Sequence, residues 1–313
     1  MLRTVLSLVL GVMLLGTAPA QANDRLTLLL DWFVNPDHGP IIVAQQKGYF
    51  ADAGLDVEIV PPADPSAPPR LVAAGQADIA ISYQPNLHLQ VAEGLPLVRI
   101  GTLVETPLNT LVVLAEGPVA EIGDLKGRKI GFSVGGFEDA LLKEMLAGAG
   151  LSLDDVSLVN VNFALSPALI AGQVDAVIGA FRNFELTQLR LEGHEGRAFY
   201  PEEHGVPVYD ELIFLAHRDR VGDDRLKRFM QAIERAAIWM TNHPEEGWEL
   251  FKAAHPDLDN ELNRTAWTDT MRRFAKRPAA LDAPRYARFA EFMKAQGLIE
   301  GTVPVGDYAV TLD

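Results

Sequence analysis

The residues best suited to chemistry lie in one short run, Leu28 to Gly39 (LLLDWFVNPDHG), where an apolar stretch stops at Asp31 and Trp32, Asn35, Asp37 and His38 follow. A buried strand has no use for that cluster. Aromatic rings stack on flat heterocycles, an amide fixes both a donor and an acceptor edge, and a carboxylate accepts from an exocyclic amine. Tyr83 adds a ring after a later apolar run, and the segment Gly179 to Glu185 (GAFRNFE) adds two aromatics, Asn183 and the carboxylate of Glu185. This inventory suits an aminopyrimidine. A sulfonate or phosphate would draw on Arg, Lys or several hydroxyls, and the candidate loops hold only Arg182, Ser82 and Ser133. Asn183 and Glu185 also read as the N-cap and first-turn acid of a helix, and both readings stand on the residues alone.

Covalent catalysis has one candidate. Gly131-Phe132-Ser133-Val134-Gly135 fits the G-x-S-x-G nucleophile elbow and lies between a strand-like and a helix-like stretch. No later acid and histidine can be assigned as its partners. A simpler account makes Ser133 and Gly135 part of a glycine-rich turn whose free N–H groups bind a polar ligand group or water at a helix start. The seven histidines are scattered, without H-x-x-x-H or H-E-x-x-H pairs, and there is no cysteine, so no metal site is expected. His194, His204, His217, His243 and His255 read as surface or loop residues. Phosphate-loop and dinucleotide fingerprints are missing, and neither a cofactor nor a catalytic residue is expected.

The elements around these residues alternate between strand and helix. Leu26–Leu30 reads as a buried strand, Pro40–Lys47 as a helix stopped by Gly48, and Leu55–Val60 as a second strand. Five prolines within Pro61–Pro69 make a rigid connector to a short helix ending at Gly75. Ala77–Ser82 is then a strand, and a helix runs on from Pro85 to Glu93. Such alternation predicts mostly parallel sheets flanked by helices. A weak repeat, AGQADIAI at 74–81 and AGQVDAVI at 171–178, points to two lobes. The apolar runs Thr110–Ala115 and Glu211–Ala216 stand where the chain would cross between them. The first lobe is expected to comprise residues 23–112 and 215–313 and the second 113–214, joined by a two-strand hinge. From Asp223 onward apolar residues recur at helical spacing, and Trp239, Trp248, Trp267 and Tyr286 there read as core.

The chain has 313 residues, 48% of them hydrophobic, enough for a substantial core. Arg3, the apolar run Val5–Leu15 and Ala20-Gln21-Ala22 form a signal peptide, residues 1–22, cleaved near Ala22. Export and the lack of cysteine fit a bacterial periplasm. A formal charge of −15 argues against a nucleic-acid partner.

Several stretches resemble the NMT1/THI5-like family of solute-binding proteins: Leu30 to His38 (LDWFVNPDH), Lys47-Gly48-Tyr49-Phe50, Gly54-Leu55-Asp56-Val57, Ile81 to Pro85 (ISYQP), Asn183-Phe184-Glu185 and Gly205 to Leu212 (GVPVYDEL). The resemblance runs from about residue 26 to 255. It implies an α/β, two-lobed periplasmic binding protein fold of type II, acting as a monomer that delivers its ligand to an ABC permease in the inner membrane. Within the family the chain looks closest to the branch that captures a thiamine-precursor pyrimidine. By that resemblance Trp32, Asn35 and Tyr83 contact the ring from the first lobe and Glu185 grips its amino edge from the second, while His38 belongs to the motif with its role open. Two positions depart from the family pattern: Val34 stands where proline is common, and Arg182 where an aromatic is common. Arg182 could turn outward or recognise a more acidic ligand. A eukaryotic branch of the family is an enzyme that makes the pyrimidine from a pyridoxal cofactor and its own histidine. It carries a cysteine-rich run and a cofactor lysine, whereas here there is no cysteine and no lysine between Leu71 and Arg99, although His88 stands in the corresponding helix. The alternatives are thus a receptor for a sulfonate or other small acid or heterocycle, a pyrimidine-forming enzyme, and a hydrolase using Ser133.

Overall fold

The computed structural model describes residues 23–312, so the signal peptide expected at residues 1–22 lies outside the described residues. Ten strands follow in chain order: β1 (Asp24–Leu29), β2 (Leu55–Val60), β3 (Ile79–Ser82), β4 (Leu97–Val104), β5 (Asn109–Leu114), β6 (Lys129–Phe132), β7 (Ser157–Asn160), β8 (Ala176–Phe181), β9 (Gly196–Phe199) and β10 (Leu212–His217). They form two sheets, β2-β1-β3-β10-β4 and β7-β6-β8-β5-β9. In the first, β1 pairs parallel with β2 and β3, and β10 runs antiparallel between β3 and β4. In the second, β6 pairs parallel with β7 and β8, and β5 runs antiparallel between β8 and β9. Exchanging β6, β7, β8, β9 and β5 for β1, β2, β3, β4 and β10 converts one order into the other. The repeated sequences run into β3 and β8, which are equivalent strands, after the short helices Pro68–Ala73 and Leu165–Ile170. The architecture is the α/β periplasmic binding protein fold.

Alternation along the strands explains why both faces of each sheet are covered. Leu26 and Leu28 of β1 join one apolar cluster, with Ile41, Phe214 and Phe229, while Leu29 joins another, with Leu215 and Tyr286. In β5, Leu111 and Val113 pack with Leu142 and Met145, and Val112 packs with Leu165 and Leu169 on the other side.

The C-terminal helices Asp224–Asn242, Pro244–Ala254, Glu261–Thr270 and Ala283–Ala295 close over the first sheet. Asp223 caps the longest by accepting the Arg225 N–H at 3.0 Å. Gly39 opens the helix Gly39–Gln46 against it, and a Cβ there would meet Met240 Cε at 2.8 Å and the Trp267 ring at 3.0 Å, so a larger residue would require those side chains to move. Trp248, Trp267 and Tyr286 are buried, whereas Trp239 sits at the core's edge under the Lys47 ammonium, 4.4 Å from its ring centre. Among the described residues no helix is long and apolar enough to cross a membrane.

The chain leaves the first sheet between β4 and β5 and returns between β9 and β10. A buried acidic pair holds these crossings together. Glu211 accepts the N–H groups of Leu108 and Asn109, the latter at 2.9 Å. Asp210 accepts Thr102 Oγ1 at 2.8 Å and the Tyr286 hydroxyl at 3.1 Å, and it also pairs with Arg285.

Candidate functional site

Loops leaving β1 and β3 meet loops and a helix following β6 and β8 around one cavity. In open α/β sheets this edge, beyond the carboxyl ends of the strands, is where ligands bind. Counting its mouth, the cavity encloses about 440 Å3. It is a narrow slot. From the first sheet come Asp31, Trp32, Asn35, Asp37 and Tyr83; from the second come Glu138, Leu165, Gly179, Phe181, Phe184 and Glu185.

The β1 loop is built on its own polar groups. Asn35 Oδ1 accepts the Asp37 N–H at 2.8 Å, capping the short turn Pro36–His38, and Asn35 Nδ2 donates to the Phe33 carbonyl at 3.0 Å. Asn35 therefore lines the slot while its amide is largely spent on the loop. His38 is fully buried: its Nδ1 accepts the Asn35 N–H at 3.3 Å and its Nε2 lies 2.9 Å from Asp31 Oδ1. Its role is to hold Asp31, whose other oxygen accepts the Tyr83 hydroxyl at 3.0 Å. Burial beside Asp31 pushes the Tyr83 hydroxyl well above its ordinary range, so it stays a donor. The Tyr83 ring stacks on Phe137 across the cleft, centroids 4.6 Å apart, and Trp32 meets Phe163 edge to face at 4.7 Å.

The second-sheet side differs from expectation at Ser133 and Asn183, while Arg182 takes the outward of its two expected courses. Ser133 is buried, and its hydroxyl donates to the Asn162 carbonyl. Its N–H donates to Glu138 Oε2 at 2.8 Å, and the Val134 N–H also bonds that carboxyl. The chain's own Glu138 thus fills the N–H nest expected to bind ligand; Gly135 is exposed, and neither Ser133 nor Gly135 lines the slot. Asn183 is not a helix cap. Its Nδ2 lies 2.7 Å from both Asp37 Oδ1 and Thr270 Oγ1, joining the β8 loop to the β1 loop and to the helix Glu261–Thr270 just behind the slot. Arg182 turns away from the slot, making a two-pronged pair with Glu202 at 2.6 and 2.9 Å and lying over the Tyr200 ring.

Glu185, 8% exposed, opens the helix Glu185–Leu191, and its Oε2 accepts the Phe181 N–H at 2.6 Å. Burial pushes its carboxyl up to about 8, against the lowering effect of that N–H. Asp37 rises to about 6 for the same reason, partly offset by Thr270 and Asn183, and burial lifts Glu138 well above its ordinary value. Gly179, at φ +99°, leaves room for the Glu138 carboxylate where any side chain would collide with it. Among the described residues, none that line the slot is Lys or Arg, and no three His, Cys, Asp or Glu side chains converge to hold a metal ion.

These shifts set a pH dependence for the free protein. His88, lowered to about 3 by burial, is neutral in the folded chain, and its unfolded imidazole sheds its remaining protons as pH rises past 6.5, which offsets part of the effect of the carboxyls. Glu185, raised to about 8, is then ionised when unfolded but still largely protonated when folded, and the upward shift of Glu138 acts in the same direction, so the folded state binds more protons and stability falls as pH rises. The urea midpoint is expected to drop steadily from pH 6.5 to 8, with a shallower slope in Glu185→Gln. A midpoint constant over that window would show that these carboxyls ionise freely in place.

Asp31, Asp37, Glu138, Leu165, Phe181 and Phe184 also line the slot. Asp31 and Asp37 stand within the quoted motif, but nothing in the spacing of Glu138 separates it from an ordinary first-turn acid. Among the histidines, His255 borders a wider chamber beside the slot instead of open surface.

Comparison with known proteins agrees with this geometry. A family model described as NMT1/THI5 like matches residues 35–247. A putative thiamine biosynthesis protein of Haemophilus influenzae is 53% identical over 98% of each chain. The formylaminopyrimidine-binding protein of Halalkalibacterium halodurans is 34% identical over 77% of this chain and 76% of its own. A 4-amino-5-hydroxymethyl-2-methylpyrimidine phosphate synthase of Legionella pneumophila is 29% identical over 83% of each. Among solved structures, the alkanesulfonate-binding protein of Xanthomonas axonopodis pv. citri superposes with a TM-score of 0.70 at 18% identity, covering 93% of this chain and 99% of that one; this likeness shows the fold alone. With the family model spanning most of the folded chain and the strongest of these relatives aligned almost end to end, the protein belongs to the NMT1/THI5-like family.

Proposed function

We propose that the protein is the exported, monomeric receptor of an ABC importer and captures a thiamine-precursor pyrimidine, of the formylaminopyrimidine or hydroxymethylpyrimidine type, in the slot between its sheets. One observation carries this reading: the slot's polar side chains include four carboxyls and, among the described residues, no Lys or Arg. Glu185, poised near neutrality, suits a 4-aminopyrimidine in either protonation state. As the acid it donates to the ring nitrogen and accepts from the amino group; as the carboxylate it accepts a charge-assisted hydrogen bond. Trp32, Phe181 and Phe184 supply the aromatic walls for a flat ring. A sulfonate would meet buried carboxyls with no cation to offset its charge, so the sulfonate reading loses ground despite the shared fold.

The enzyme reading is weaker. His88, the histidine in the corresponding helix, is buried between Phe289 and Tyr308, with ring centroids 5.5 and 5.2 Å away, and does not line the slot. Ser133, with its hydroxyl held by a backbone carbonyl and no histidine bonded to it, offers no nucleophile. Lobe closure over the ring would shield the half that either sheet alone leaves in water, as in other hinge-bending receptors.

The test is a melting-temperature screen of 4-amino-2-methylpyrimidines bearing 5-hydroxymethyl or 5-formylaminomethyl groups against alkanesulfonates. A ligand at a hundred times its Kd stabilises by about 2.7 kcal/mol, a rise of several degrees. Stabilisation by a sulfonate and by no pyrimidine would overturn the reading.

A further inference from the structure

The tight turn between β8 and the helix Glu185–Leu191 sends each of its polar groups to a different destination. The Phe184 N–H donates to the Phe181 carbonyl at 3.0 Å and Glu185 Oε2 accepts the Phe181 N–H at 2.6 Å, so residues 181–185 form one tied unit. The Arg182 N–H donates at 2.9 Å to the carbonyl of Leu108, on the crossing between β4 and β5. Asn183 reaches over to the first-sheet side, and Glu185 lines the slot.

The partners of Asn183 are as buried as it is: Asn183 is 1% exposed, Asp37 2% and Thr270 0%. Asn183 Nδ2 carries two hydrogens, one for Asp37 Oδ1 and one for Thr270 Oγ1. The Thr270 hydroxyl stands 2.8 Å from Asp37 Oδ1, closing a triangle of side chains drawn from three parts of the chain. In so dry a place each of these bonds is costly to leave unmade. Other links across the cleft are weaker or less directional. Arg190 meets Glu261 at 3.3 Å with both side chains more than half exposed, where an ion pair adds little. Lys143 donates to the Gln296 carbonyl from a half-buried position. The Tyr83–Phe137 stack and the Trp32–Phe163 contact exclude water but fix no hydrogen-bond register. Away from the crossings, and among the described residues, the fully buried side-chain hydrogen bonds between the two sides are therefore those of Asn183.

We infer that Asn183, Asp37 and Thr270 form a latch that holds the two sides of the cleft closed, with Asn183 and Thr270 as positioning residues that act on the slot without lining it. Making the latch draws the tied unit 181–185 onto the β1 loop and sets Glu185 opposite Asn35 and Asp37. The Arg182 N–H keeps that same unit fastened to a crossing, so a bend there that opened the slot would have to break the triangle. The apparent affinity of a receptor scales with the fraction of it in the binding-competent state. The latch therefore strengthens binding of every slot ligand by a common factor, unlike a residue that touches one substituent. The latch rests on contacts within the chain, and its effect on affinity rests in addition on the proposed function.

The experiment is a spin-label distance measurement on the full chain. Because the chain has no cysteine, labels can be confined to Asp56→Cys on β2 and Asp154→Cys just before β7, both exposed. Without ligand, the labelled chain is expected to give mainly one short distance, and Asn183→Ala a longer and broader distribution. Thr270→Val should shift the distances in the same direction, whereas Thr270→Ser, which keeps the hydroxyl, should restore the short one. Combining Asn183→Ala with Thr270→Val should add little to either alone, since the two residues make one device. A distribution in Asn183→Ala that coincides with that of the unaltered chain overturns the latch; a lowered urea midpoint with unchanged distances is what a purely structural role would give. Stopped-flow binding then reads the effect on the slot. The koff of Asn183→Ala is expected to rise roughly tenfold, by the same factor for 4-amino-5-hydroxymethyl-2-methylpyrimidine and for its 5-formylaminomethyl counterpart. A loss confined to one of the two overturns the positioning role. If no pyrimidine binds the unaltered chain, the proposed function falls, and the distances still decide the latch.

Discussion

Replacing Glu185 by alanine is expected to weaken aminopyrimidine binding roughly 10- to 150-fold, the loss of one charge-assisted hydrogen bond at about 1.5–3 kcal/mol. Glu185 projects from the second sheet at the start of its helix, where the N–H of Phe181 and its own N–H bond the carboxyl and no side chain does. Glu138 is tied to the turn at Ser133, Asp31 to His38 and Tyr83, and Asp37 to Thr270 and Asn183. Glu185 Oε2 accepts the Phe181 N–H, and the residue carries no side-chain partner that a ligand would have to displace. Glu185→Gln separates the two jobs, because its amide oxygen still accepts from Phe181 while the ionisable group is lost. Calorimetry on both variants decides the matter: affinity unchanged in Glu185→Ala would return the residue to holding the start of its own helix.

The largest stability effect is expected at Asp210, remote from the slot. Asp210→Ala should cost about 3–5 kcal/mol, the range for removing one partner of a buried charge pair. The variant strands the Arg285 guanidinium and leaves the Thr102 and Tyr286 hydroxyls without their shared acceptor. The Asp210 N–H also meets Gln84 Oε1 at 2.8 Å, at the start of the helix after Tyr83. Denaturant unfolding should show the full loss, with ligand affinity lowered only through the unfolded fraction. A change below 1 kcal/mol would mean that water replaces Asp210 at these donors.

Much of this organisation is legible in the sequence, and the reasons are local. The strand Leu55–Val60 alternates clearly, Gly48 and Gly75 take the positive φ that ends their helices, and Asp223 announces its helix through capping chemistry. The repeat at 74–81 and 171–178 is visible because equivalent strands follow equivalent helices. Four ligand candidates, Trp32, Asn35, Tyr83 and Glu185, reach the slot because each follows the end of a buried strand or its short loop. His38 and Asn183 are hidden in a different sense: residue type marks them as polar and placed near the site, but only three-dimensional contacts show them supporting Asp31 and Asp37. Ser133 misleads because a glycine-rich turn displays N–H groups whether an external anion or the chain's own Glu138 occupies them.

The interleaved strand order has a consequence for how the molecule comes into being. β4 touches the rest of its sheet only through β10, and β10 also provides the outer neighbour of β3. A chain emerging from its N-terminus cannot complete that sheet until residue 212 and beyond have appeared, whereas the second sheet, drawn from one unbroken stretch between β5 and β9, has all its strands sooner. The largest core of the protein is therefore the last to assemble, because its pairings close over the longest stretches of chain. Under the proposed export that delay is useful, because the main sheet stays open until almost the whole polypeptide has been made.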